Sequence, residues 1–203
     1  MVQQTQIYRI LGIDPGLATI GWGVIKYEGT RFQTLGYGSI QTPSTMSTED
    51  RLVESHKRMN QLIQAYKPDA MAIEKLFYNT NAKTVIDVAQ ARGVINLAAQ
   101  KNNLDIFEYT PLQVKQSIVG YGRAEKFQVQ EMTRTFLHLD KIPKPDDAAD
   151  GVWCAYWSGL CIRILRDRKN GQAHKKKSFQ CILHKAQVFV CEFKKNTLIF
   201  EEF

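Results

Sequence analysis

Tyr8-Arg9-Ile10-Leu11-Gly12-Ile13-Asp14-Pro15-Gly16 reads as a buried strand running into a tight turn, with an acid at the join. Proline and glycine both favour turns, so the apolar run has a defined stop. Gly21-Trp22-Gly23-Val24-Ile25-Lys26-Tyr27 reads as a second strand, Glu28-Gly29-Thr30 as a hairpin connection, and Phe32 to Ile40 as a third strand. Three strands in succession predict an antiparallel meander.

Downstream the apolar period changes from two to 3.6. Ser47-Thr48-Glu49-Asp50 supplies cap residues and early acids for a helix whose apolar face is Leu52, Met59, Leu62, Ile63 and Tyr66, with Pro68 beyond its end. Ala70 to Glu74 is a short buried strand closed by a carboxylate. Asn81 can cap a helix to about Lys101 with Val85, Val88, Ala89, Val94, Ile95 and Leu97 turned inward. Leu104 to Tyr109 is a fifth strand, and Thr110-Pro111 starts another helix. Gly120-Tyr121-Gly122 breaks that helix, Ala124 to Leu139 is helical, and Pro143 and Pro145 lead into a last helix from Asp146 to about Leu165. The order βββαβαβ, followed by helices, predicts an α/β fold with a mixed five-stranded sheet flanked by helices.

The chain has 203 residues, 44% hydrophobic and 23% charged, which excludes disordered and low-complexity classes. No apolar run approaches a membrane span, and no signal-peptide pattern opens the chain. Cys154, Cys161, Cys181 and Cys191 are therefore expected as reduced thiols of a cytoplasmic protein. The formal charge of +7 is unevenly spread. Residues 163–203 hold 10 Lys and Arg against 4 Asp and Glu, leaving 17 against 16 in residues 1–162. A body of residues 1–166 and a basic C-terminal extension of residues 167–203 follow. If the body binds DNA, a local patch must do it.

Four acids fall at element ends. Asp14 and Glu74 close strands, and Asp147 and Asp150 stand three apart in the first turn of the last helix, so both project from one face. Gathered carboxylates are costly unless a cation neutralises them. Hard divalent ions take oxygen ligands and share sites with phosphate. Two such ions activate water and stabilise a leaving oxygen in phosphodiester hydrolysis, so the chemistry points to a metal-dependent nuclease. Taken singly, each acid has an ordinary reading as a helix cap, a turn residue or a solvated strand end. Cys181 and His184 have the spacing of half a zinc site, but His174 and Cys191 complete it poorly.

Six blocks taken together resemble the RuvC Holliday-junction resolvase family in order and spacing. They are Ile10 to Gly16, Ala72-Ile73-Glu74-Lys75-Leu76-Phe77, Ala89-Gln90-Ala91-Arg92-Gly93, Val114-Lys115-Gln116, Ala124-Glu125-Lys126 and Asp147-Ala148-Ala149-Asp150. The resemblance spans about residues 8–165. It implies a ribonuclease-H-like fold, a cytoplasmic bacterial homodimer, and paired nicks in strands of like polarity across a four-way DNA junction. It assigns the metal carboxylates to Asp14, Glu74, Asp147 and Asp150, holding Mg²⁺ with Mn²⁺ as substitute, two ions per site. RuvA and RuvB follow as partners by the same resemblance. Phe77 is implied as a wedge stacking on junction bases.

Lys75, Arg92, Lys115 and Lys126 lie near the acids and are candidate phosphate contacts. Arg92, inside an apolar helix, is alternatively a structural ion-pair residue. Two competing readings stay open on sequence. One is an actin-like nucleotide-binding ATPase, which shares the Asp-Pro-Gly strand end but needs a second glycine-rich phosphate loop. The other is a junction binder that does not cut.

Overall fold

The computed structural model describes residues 7–28, 31–76, 82–110, 112, 125–136, 140–142 and 151–152. In chain order the elements are β1 (Ile7–Asp14), β2 (Thr19–Glu28), β3 (Arg31–Gln41), α1 (Thr48–Tyr66), β4 (Ala70–Glu74), α2 (Ala82–Lys101), β5 (Asp105–Tyr109) and α3 (Lys126–Phe136). The glycine break at 120–122, the proline lead-in at 143–145 and the 167–203 extension lie outside the described residues, as does all of the last helix except Gly151 and Val152.

Local chemistry accounts for the helix ends. The Ser47 Oγ accepts the Asp50 backbone N–H at 3.1 Å, so α1 starts where the cap residues predict. It ends at Lys67, which adopts the left-handed conformation at φ 47° and donates its N–H to the Ile63 carbonyl. Pro68 then prevents continuation.

The strands form one sheet in the order β3-β2-β1-β4-β5. β1, β2 and β3 are the expected antiparallel meander, with a bulge between Val24 and Ile25. β4 inserts parallel to β1, and β5 parallel to β4. This is the mixed five-stranded sheet expected from the element order, and it agrees with the ribonuclease-H-like fold that the family resemblance implies.

Alternation along the strands creates two faces. Leu11 and Ile13 of β1, Ile20 and Val24 of β2, Ile40 of β3, and Met71 and Ile73 of β4 join Met59 and Ile63 of α1 and Ile95, Ala98 and Ala99 of α2 in one core cluster. Each large side chain buried there contributes about 1.5–3 kcal/mol of transfer free energy. The residues between them, among them Ile10, Gly12 and Asp14 on β1 and Ala72 and Glu74 on β4, face the opposite side of the sheet.

The inward face of α2 differs from expectation. Ile95 is buried and Val85, Val88 and Val94 are half-buried, but Ala89 is exposed and Leu97 is 53% exposed. Ala91, Ala98 and Ala99 are buried instead. Alanines let α2 approach α1 and the sheet closely, and that rotates Leu97 outward. Side-chain size ranks hydrophobicity but does not reveal which arc of a largely apolar helix faces the core.

Candidate active site

The parallel ladder between β1 and β4 ends at the pair Ile13 with Ile73. One step further brings Asp14 and Glu74 level on neighbouring strands, with Cα atoms about 5 Å apart. In-register residues of adjacent strands point to the same face, so both carboxylates leave the sheet together, away from α1 and α2. Both residues are half-buried.

The turn after Asp14 is pinned. The Thr42 N–H donates to the Ala18 carbonyl at 3.0 Å, and its hydroxyl donates to the Leu17 carbonyl at 2.6 Å. Arg51 of α1 in turn donates its Nε to the Thr42 Oγ1 at 2.9 Å. The strand end carrying Asp14 is thus tied to β3 and α1.

On the face of the carboxylates the sheet is cut back to backbone. Gly12 pairs with Gly23, and Asp14 pairs with Gly21. Against this strip lie Gly151 and Val152, both helical and buried. A Cβ on Gly23 would stand 2.4 Å from the Val152 Cα, and one on Gly151 would stand 2.7 Å from the Trp22 Cα. Helix and strand backbones touch beside Asp14, and no side chain larger than hydrogen fits between them.

β4 is fastened at its end by a second group of residues. The Lys75 N–H donates to the Tyr109 carbonyl at 2.7 Å. Arg92 of α2 donates its Nε to the Glu74 carbonyl oxygen at 3.3 Å and forms an ion pair with Glu108 of β5. The Lys75 ammonium stands 3.6 Å from the same Glu108 and is 47% exposed.

Of the residues singled out from sequence, Asp14 and Glu74 are brought side by side, and Lys75 and Arg92 meet on Glu108. Phe77, Lys115, Asp147 and Asp150 lie outside the described residues, as does the side chain of Lys126, whose backbone starts α3. Among the described residues no three acid, histidine or cysteine side chains gather into a metal-holding group. Sequence reading missed Glu108 and the glycine cradle. The signal for the cradle was present: Gly21 and Gly23 stand at period two on one strand face, and Gly151 occupies a helix where glycine is unfavourable.

Residues 10–156 match the profile of the family described as crossover junction endodeoxyribonuclease RuvC. The Alkaliphilus oremlandii crossover junction endodeoxyribonuclease RuvC is 58% identical over 143 residues, covering 70% of this chain and 87% of that relative. Its Ruminiclostridium cellulolyticum counterpart is 54% identical over 155 residues, covering 76% and 93%. The structure of Thermus thermophilus RuvC in complex with a Holliday junction substrate superposes with a TM-score of 0.73 at 28% identity, covering 77% of this chain and 96% of that one. A strand-end carboxylate pair on this sheet, and a family match across nearly the whole body, lead to one assignment: the chain belongs to the RuvC family of crossover junction endodeoxyribonucleases.

Proposed function

We propose that the chain resolves Holliday junctions in homologous recombination and DNA repair, cutting strands of like polarity with paired nicks that depend on Mg²⁺ or Mn²⁺. The observation that carries this reading is the level placement of Asp14 and Glu74 at the ends of parallel strands, on the face against which Gly151 packs. Asp150 directly precedes Gly151 in the chain, and Gly151 is seated on β2 at Gly21 and Trp22. Asp147 precedes Asp150 by three positions in the chain.

Asp14, Glu74, Asp147 and Asp150 would hold the metal, and their all-oxygen donor set suits a hard divalent ion. When bound, two such ions supply an activated water and charge stabilisation for the leaving oxygen. The protein's own part is to hold the carboxylates rigidly, through the Thr42 tie and the β4 fasteners, so that the scissile phosphate meets a preformed site. Lys75, exposed at the rim, and Lys115 and Lys126 orient the DNA backbone through phosphate contacts. Phe77 stacks on bases at the junction centre. Phe77→Ala is expected to slow cleavage while leaving junction affinity nearly unchanged; equal cleavage rates would remove it from the mechanism.

Two coordinated cuts need two sites, and a homodimer matches the two-fold symmetry of a junction. The exposed stripe on α2, with Ile86 63% and Leu97 53% exposed, supports that face as the dimer contact. Leu97→Glu should shift the sedimentation of the chain toward monomer; an unchanged dimer would place the interface elsewhere. No helix among the described residues is long and apolar enough to cross a membrane, and the proposed site of action is the bacterial cytoplasm, which cell fractionation checks. RuvA and RuvB are proposed partners, tested by co-migration of the chain with a junction carrying both.

The deciding experiment is cleavage of a labelled synthetic four-way junction, with linear duplex as control, in Mg²⁺ and in EDTA. Paired nicks confined to the junction and abolished by EDTA are expected. Junction binding without nicks in either Mg²⁺ or Mn²⁺ would overturn the proposal in favour of a non-cutting binder.

A further inference from the structure

Glu74 is the last residue of β4, and its carbonyl oxygen meets a side-chain donor. Alternate residues of a central strand turn their N–H and C=O groups to opposite neighbours. Lys75 donates to Tyr109 on β5, so the backbone groups of Glu74 turn toward β1. Carried one step beyond Ile13–Ile73, the register sets Pro15 opposite the Glu74 carbonyl as its ladder donor. Proline has no N–H to give. Arg92 supplies a donor in its place, with its Nε 3.3 Å from the Glu74 oxygen.

A terminal nitrogen of the guanidinium is engaged as well. It pairs with Glu108, whose other carboxylate oxygen faces the Lys75 ammonium at 3.6 Å. The Arg92 side chain is only 19% exposed. One arginine thereby links α2 to the ends of β4 and β5, with its charge already answered by Glu108. A planar fork with several fixed donors can serve a carbonyl and a carboxylate together, which a lysine ammonium on a flexible stem does poorly.

We propose that Arg92 is a positioning residue for cleavage: it supplies the hydrogen bond that Pro15 cannot make to Glu74, with Glu108 as its counter-charge. The inference rests on the reading of Glu74 as a metal carboxylate. Arg92 acts through that residue and does not contact DNA. Loosening the backbone at Glu74 lets its carboxylate drift from Asp14 and weakens the hold on metal.

The test uses the full-length chain with Arg92→Gln, Arg92→Lys and Glu108→Gln. Junction binding is measured in EDTA across a salt series, and cleavage at saturating junction across Mg²⁺ concentrations. For Arg92→Gln we expect parental junction affinity and salt slope, a Mg²⁺ half-saturation raised by roughly 10–100-fold, and a lower maximal rate. Arg92→Lys should recover only part of the loss, and Glu108→Gln should show a smaller shift in the same direction. Weaker binding with a salt slope reduced by about one, and an unchanged Mg²⁺ requirement, would make Arg92 a phosphate contact and overturn the proposal. If Arg92→Gln fails to fold, Glu108→Gln decides, and an unmoved Mg²⁺ requirement there overturns it too. A separate Glu74→Gln control that cleaves like the parent would sink the metal-site reading itself, independently of what Arg92 does to binding.

Discussion

Asp14→Asn and Glu74→Gln are each expected to lower junction cleavage by roughly three orders of magnitude while leaving junction binding in EDTA as tight as in the parent, or tighter. The Ile13–Ile73 register, carried one step on, sets the two acids level on adjacent strands and on one face. Each substitution keeps the size of the side chain and removes a charge that the proposed metal site needs. Binding should not suffer, because an acid facing a phosphodiester repels it, and its loss relieves that repulsion. The double substitution should be hardly worse than either single one, since residues that act as one unit do not contribute additively. Single-turnover cleavage of a labelled junction, with gel-shift affinity alongside, checks both halves. Substantial cleavage by both single variants would mean that this pair is not the metal site.

Gly23→Ala is expected to damage both stability and activity, although it adds one methyl group. Its Cβ would lie 2.4 Å from the Val152 Cα, 2.4 Å from the Val152 Cγ2 and 2.6 Å from the Val152 N. Two of those atoms are backbone, so relief requires the helix and β2 to part by about an ångström. Overpacking of this kind costs about 1–3 kcal/mol, which corresponds to a melting temperature lower by roughly 2–12 °C in a chain of this size. The same displacement moves the helix segment that follows Asp147 and Asp150 away from Asp14, and an ångström of misplacement costs on the order of a hundredfold in rate. Gly151→Ala should behave alike, since its Cβ would meet the Trp22 N at 2.8 Å and the Gly21 carbonyl carbon at 2.9 Å. Rates are compared at 10 °C or so below the lowest melting point, so that unfolding does not masquerade as a catalytic defect. Parental stability and parental cleavage in both variants would show that the contact does not position the acids.

Much of this molecule is local and therefore legible along the chain. The apolar runs of β1 and β2, the period of 3.6 in α1, the Ser47 cap and the Pro68 stop depend on neighbours a few residues away, and the structure follows them closely. Asp14 and Glu74 could be picked out because each terminates a short apolar run. Alternation dictates that a strand has two faces; it does not dictate which strand lies beside it. The level placement of the two carboxylates exists because β4 inserts parallel to β1 in the Ile13–Ile73 register, and that register is chosen by burial on both faces of the sheet. The outward turn of Leu97, the ion pair of Arg92 with a residue sixteen positions on, and the seating of Gly151 on Gly21 and Trp22 arise in the same way. Each depends on how closely two remote backbones pack, a property of the assembled solid and not of any segment. The sequence by itself determined the elements and the chemistry carried at their ends; tertiary packing alone decided which of those ends meet, because contact between distant segments is set by the fit of the whole core.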